Sequence, residues 1–188
     1  MIEVGVVGAR GYTGGELLRY LVDHPHLRVT YVTSDSQAGE AVAAAFPTLA
    51  GRLDLAFSRY DPTEAAAAAQ LLFFARPDGE AMRLVPELLA AGRKVVDLSG
   101  DFRVRDPDRY AQWYRREHVA PEWLPRAVYG VPELHPEVRE ARLVANPGCY
   151  AVASLLAVAP LVEQGLADLS RPLCVAATSG ISGACSAR

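Results

Sequence analysis

A glycine triplet near the start of the chain restricts what can follow. In VVGARGYTGGELL, Gly8, Gly11 and Gly14 stand in G-x-x-G-x-x-G spacing, between an apolar run, Ile2–Val7, and a helical pattern over 12–24. Small residues at such a loop let the backbone approach a pyrophosphate closely, and the helix that follows offers unpaired N–H groups and a partial positive charge. The other use of such a loop is a plain tight turn; a strand before it and a helix after it select the dinucleotide reading.

The rest of the chain repeats the same alternation. Leu17, Leu18, Leu21 and Val22 share one face of the first helix, which Pro25 stops. Strands are expected at 28–33, 71–75, 94–98 and 143–146. Helices are expected at 65–69, at 80–91 closed by Gly92, at 106–117 and at 150–165. The third of these starts at an Asp-Pro cap, with Tyr110, Trp113 and Tyr114 available for packing. Residues 121–136 hold four prolines and read as loop, and 172–178 reads as a further strand after a boundary near Ser170. Strands alternating with helices imply an α/β fold, a Rossmann-like doubly wound parallel sheet.

Composition excludes several classes. A net charge of −3 over 188 residues gives no nucleic-acid or membrane-surface footprint. No apolar run reaches the length of a membrane span, and Met1 leads straight into a strand, so neither an anchor nor a signal peptide is expected. Cys149, Cys174 and Cys185 are odd in number and lack metal-ligand spacing, which suits a reduced cytoplasm and no metal.

The choice of dinucleotide stays open. Asp35 lies about 20 residues beyond the loop, where an acid hydrogen-bonds a ribose 2′-hydroxyl and favours NAD. It reads equally as a solvated turn acid. Arg10 argues for NADP, because a guanidinium in the loop can pair with phosphate. Ser34 and Ser36 can donate to either ligand.

Cys149 follows Asn146-Pro147-Gly148 at the mouth of a helix. In a doubly wound sheet, chemistry collects at the carboxyl ends of the strands, and Gly8, Ser34, Pro77, Ser99 and Asn146 all follow strands. A thiolate at a helix N-terminus is stabilised by free N–H groups and the dipole. Such a thiol beside a nicotinamide suggests covalent catalysis through a thioester. Cys174 reads as strand packing and Cys185 is ambiguous.

These segments resemble the N-acetyl-γ-glutamyl-phosphate reductases of arginine biosynthesis. The likeness runs through GARGYTGGELLRYL, AGRKVVDLSGDFRVRDPDRYAQWY, VYGVPELHPEVREARLVANPGCY and TSGISGA. It implies that Cys149 attacks an acyl phosphate to form a thioacyl enzyme, and that NADPH then supplies hydride to release a semialdehyde. Gly8, Arg10, Gly11, Tyr12, Thr13, Gly14, Ser34, Ser36, Pro77, Ser179, Gly180 and Gly183 match the family's cofactor contacts. Arg103 and Asn146 fall to the substrate, with a structural salt bridge from Arg103 to Asp101 or Asp106 as the other reading. Three positions depart from the pattern: Asp35 replaces an arginine, Asp78 a histidine, and Ala151-Val152 a small residue followed by threonine.

Family members are roughly twice this length. The resemblance therefore implies a dinucleotide-binding domain over 1–150. Residues 151–188 would be a connecting helix and the opening strand of a second α+β domain for catalysis and dimerisation. The family's general-base histidine would lie in that second part, so residues 1–188 alone are expected to bind dinucleotide weakly and catalyse nothing. Two alternatives share these features: a reductase for a carrier-protein-linked aminoadipyl phosphate in lysine biosynthesis, and a non-catalytic dinucleotide-binding module.

Overall fold

The computed structural model describes residues 1–184. They divide into two compact units, the first ending at Asn146 and the second beginning at Pro147.

In the first unit, β1 (Ile2–Val7), β2 (Leu27–Val32), β3 (Leu71–Phe74), β4 (Lys94–Asp97), β5 (Val128–Tyr129) and β6 (Leu143–Ala145) form one sheet in the order β2-β1-β3-β4-β6-β5. Every pairing is parallel. The order reverses at β1, with β2 on one side and β3 on the other. That makes the crevice at the carboxyl ends of β1 and β3 the switch point where such sheets bind ligands.

The helices are α1 (Tyr12–Leu21), α2 (Val42–Ala45), α3 (Pro62–Ala68), α4 (Ala81–Ala90) and α5 (Pro107–Tyr114). Alternation along the strands divides the core between the two faces. Val4 and Val6 pack with Leu18, Leu21 and Val42 on one face. Val7, Leu72 and Phe74 pack with Ala65, Met82, Val85 and Leu88 on the other. Full burial of a side chain such as Leu18 or Phe74 contributes roughly 1.5–3 kcal/mol.

The β1–β2 register shifts between Val4 and Gly5, opposite Val29 and Tyr31, so Thr30 is the extra residue. Its hydroxyl donates to the Ala68 carbonyl at 2.6 Å. The bulge explains why Val29 and Val32, three apart, share one core cluster while Tyr31 joins the other.

Most expected elements are present, with ends trimmed or shifted by a few residues. Three differences matter. The stretch 121–136 is not plain loop: Pro121–Arg126 forms a 3₁₀ helix, where proline can start a turn that lacks its N–H, and β5 follows. Trp113 is 74 % exposed rather than packed, while Tyr110 is fully buried. Residues 172–178 form no strand: apolar composition alone supplies no ladder partner, and Leu173 and Val175 are exposed.

In the second unit, α6 (Cys149–Glu163) is apolar on all sides, with Glu163 its one charged residue. Tyr150, Leu155, Leu156, Leu161 and Val162 are exposed. Cys174, expected in a strand, is also exposed. Cys185 lies outside the described residues. Among the described residues, no helix is long and apolar enough to cross a membrane, and no group of His, Cys, Asp and Glu could hold a metal ion.

Candidate functional site

The three glycines have three different physical reasons. Gly8 takes φ +84°, and a Cβ there would run into the Ala75 carbonyl oxygen of the neighbouring strand's exit. A Cβ on Gly14 would lie 2.6 Å from both Ala9 Cα and the Gly8 oxygen, so α1 packs against its own loop only without a side chain there. Gly11 differs: a Cβ would meet nothing closer than the Gly8 oxygen at 3.7 Å, so its bareness serves no packing. Tight turn, open cradle and close packing are the division that pyrophosphate binding requires of such a loop.

Gly11 is the N-cap of α1 and no side chain bonds the first turn, which also lacks an acid. The N–H groups of Tyr12, Thr13 and Gly14 therefore face an anion-binding position. The loop is anchored from β2: Gly8 N donates to Thr33 Oγ1 at 3.0 Å, and Ala9 N donates to the Thr33 carbonyl at 2.9 Å. Arg10 is exposed, its guanidinium 5.6 Å above the Phe46 ring.

After β2, Ser34 is buried and its hydroxyl lies 3.4 Å from that of Ser36. Asp35 is exposed, but its carboxylate is paired. Its Oδ2 accepts from Arg76 Nη1 at 2.7 Å, and its Oδ1 lies 3.5 Å from the Tyr60 amide. The Arg76 guanidinium holds the Asp35 carboxyl below its ordinary range. Arg76 also donates from Nε to Glu80 Oε2 at 2.6 Å.

The β3 exit, Pro77-Asp78-Gly79, is tied to the β4 exit. Asp78 Oδ1 accepts from Gly100 N at 2.6 Å, and Arg116 donates to the Asp78 carbonyl. Asp101, fully buried, accepts from Gly79 N at 2.7 Å, Met82 N at 3.0 Å and the Tyr110 hydroxyl at 2.9 Å. It thus caps α4 from another loop, since the side chain of Glu80 at the N-cap bonds no amide of the first turn. Ser99 links the chain inward: it donates from Oγ to Asp97 Oδ2 at 2.8 Å and accepts from Asp101 N at 3.2 Å.

Arg103 pairs with neither Asp101 nor Asp106. Asp101 is engaged by Gly79 N, Met82 N and the Tyr110 hydroxyl, and Asp106 caps α5 by accepting from Asp108 N and Arg109 N. Arg103 instead donates from Nε to the Asn146 carbonyl and from Nη2 to the Leu98 carbonyl, both at 2.7 Å. It joins the exits of β4 and β6 through backbone oxygens.

His118, read from sequence as a loop residue, is buried between Phe102 and Tyr110, with ring centroids 5.4 and 4.9 Å away. His135 bonds Glu137 at 3.2 Å.

In the second unit, Cys149 is the first residue of α6 and is exposed. Gly148 is the N-cap, without a side-chain bond. Ser179, Gly180 and Gly183 belong to the same unit, where Gly183 N donates to the Gly180 carbonyl at 3.0 Å. The first unit therefore gathers Gly8 to Gly14, Ser34, Ser36 and Pro77 on strand exits of one sheet, with Arg103 and Asn146 joined to each other. Sequence reading missed Arg76 and Asp101, because neither belongs to a spacing motif and their partners lie 41 and 22 residues away.

Residues 3–141 match the family described as semialdehyde dehydrogenase, NAD binding domain. An N-acetyl-gamma-glutamyl-phosphate reductase from Marinobacter nauticus is 51 % identical over 98 % of this chain and 53 % of its own length. One from Pseudomonas putida is 54 % identical over 98 % of this chain and 54 % of its own length. The chain thus spans about half the length of the curated relatives it matches. Among solved structures, aspartate semialdehyde dehydrogenase with NADP from Candida albicans superposes with TM-score 0.64 at 18 % identity, over 89 % of this chain and 48 % of that one. Aspartate semialdehyde dehydrogenase II from Vibrio cholerae gives TM-score 0.61 at 18 % identity, over 87 % of this chain and 47 % of that one.

Proposed function

Because the chain belongs to the semialdehyde dehydrogenase NAD-binding domain family, we propose that it is the cofactor-binding part of an NADP-dependent reductase acting on N-acetyl-γ-glutamyl phosphate. The observation that carries the cofactor half is the open cradle at Gly11 beneath an uncapped α1, between two glycines that packing demands. Identity of 51–54 % to reductases of that name supports the substrate.

In this reading, the amides of Tyr12, Thr13 and Gly14 bind the pyrophosphate, with Arg10 at the loop's rim. Ser34 and Ser36 serve the adenosine ribose. Pro77, Ser179, Gly180 and Gly183 serve the nicotinamide half. Bound there, the nicotinamide supplies a hydride. Cys149 is the nucleophile: its thiolate attacks the acyl carbon, the C–O bond to phosphate breaks, and inorganic phosphate leaves with the electron pair. Arg103 and Asn146 orient the acyl phosphate.

Residues 1–150 act as the dinucleotide domain, and 151–188 lead into a substrate domain through which the enzyme forms a homo-oligomer in the cytoplasm. Support for that division comes from α6, since a helix apolar on every side is one that other parts of a protein cover.

Cys149→Ser tests the mechanism in the reductase that contains this chain. Phosphate release from the acyl phosphate should fall by at least about 10³-fold while nucleotide affinity stays within about twofold. Turnover within tenfold of the parent would rule out the thioacyl route.

A further inference from the structure

We infer that Arg76 is the residue that distinguishes a 2′-phosphate from a 2′-hydroxyl on the cofactor's adenosine ribose, with Asp35 as its counter-charge. This rests on the dinucleotide reading of the β1–α1 loop. In sheets of this kind the ribose 2′ group is read at the carboxyl end of β2. A lone carboxylate there accepts from a hydroxyl and repels a phosphate. Asp35 is not alone.

Arg76 leaves β3 and passes beside the first glycine of the loop: its Cδ lies 3.2 Å from where a Cβ on Gly8 would sit. Its guanidinium then reaches across to Asp35 and back to Glu80. These contacts engage three of the five guanidinium N–H donors, so two remain for a ligand. Burial is uneven. The Arg76 side chain is 18 % exposed, against 52 % for Asp35 and 37 % for Glu80. The guanidinium is therefore the fixed partner, and the carboxylates are the ones free to turn toward water.

Arg76, Asp35, Glu80, Arg83 and Tyr60 line a cavity of about 280 Å³. That is just below the roughly 300–1,000 Å³ of whole-ligand pockets, in keeping with one end of a dinucleotide. Two guanidinium groups against two carboxylates leave the lining without net charge, so a phosphate meets no net repulsion. The Tyr60 hydroxyl is buried without a hydrogen-bond partner among the described residues. Arg10, the guanidinium that the sequence singles out, is held over Phe46.

The test is calorimetric titration of the reductase that contains this chain with NADP⁺ and NAD⁺, and with adenosine 2′,5′-bisphosphate and 5′-AMP, which differ by the 2′-phosphate alone. Arg76→Gln should weaken NADP⁺ and the bisphosphate at least about tenfold, and leave NAD⁺ and 5′-AMP within about threefold. Unchanged 5′-AMP binding shows that the variant is folded. Arg76→Lys should recover part of the loss, and Asp35→Asn should tighten NADP⁺. Equal losses for both members of each pair, or selectivity that moves in Arg10→Ala instead, would overturn the assignment while leaving the dinucleotide loop standing. Failure of the parent reductase to bind any of the four would remove both.

Discussion

Asp97 ends β4 with no exposure to solvent, and its carboxylate accepts from Ser99, at the amide and at the hydroxyl. Burial pushes its pKa from 3.8 up to about 7; the two Ser99 bonds oppose this, and the nearby Asp101 adds to it. The folded state therefore holds a proton that the unfolded chain releases near pH 4. The resulting stabilisation is complete below 3.8 and is lost as pH rises toward 7. Asp97→Asn, which cannot ionise, should escape that loss. In urea unfolding from pH 4 to pH 8, the stability of the variant minus that of the parent should climb with pH and level off above 7. A difference that stays flat would mean Asp97 titrates normally. The same scale shows where sequence reading stops. Asp35 was legible as an acid at the right distance from the loop, but its pairing with Arg76, 41 residues on, follows only from the exits of β2 and β3, the two strands that flank β1.

Elements were legible wherever one face repeats. Leu17, Leu18 and Leu21 announce α1, and the apolar runs of β1, β3 and β4 announce buried parallel strands. What eluded sequence is what depends on a distant partner. The 172–178 segment has strand composition but no ladder, and the Thr30 bulge exists only against β1. The cap of α4 is the same kind of feature. Local rules look for it at Glu80, yet Asp101 supplies it from the β4 exit. Asp61 caps α3 locally, accepting from Glu64 N at 2.8 Å on an exposed end. Truncating the two acids should separate the cases. Asp61→Ala should cost about 1 kcal/mol, the usual value of an exposed cap. Asp101→Ala strands the Gly79 and Met82 amides and the Tyr110 hydroxyl, all in buried residues, at about 1–3 kcal/mol each. Chemical denaturation should therefore show a loss at least about three times larger for Asp101. Comparable losses would mean the α4 amides find other partners.

For the molecule as a whole, the glycine loop's assignment predicts how ligand couples to stability. A ligand that binds only the folded chain stabilises it by RT ln(1 + [L]/Kd), about 2.7 kcal/mol at one hundred times Kd. For a chain of 188 residues that corresponds to a rise in Tm of roughly 5–10 °C. The geometry supplies a variant that uncouples fold from ligand. Alanine at Gly8 would meet backbone at positive φ, and alanine at Gly14 would meet backbone within the loop, so both would damage the protein itself. At Gly11 the backbone is extended, at φ −67° and ψ 166°, and a Cβ points into open space. Gly11→Val should leave the ligand-free Tm within about 2 °C, because a β-branched residue suits that conformation. Its methyl groups would occupy the space through which a pyrophosphate must approach the α1 amides, so the nucleotide-dependent rise should vanish. Thermal melts of parent and variant, with and without NADP⁺, measure both quantities together. If Gly11→Val kept the full rise, the pyrophosphate would bind elsewhere. If it lowered the ligand-free Tm as far as Gly14→Ala does, the bareness of Gly11 would serve packing after all.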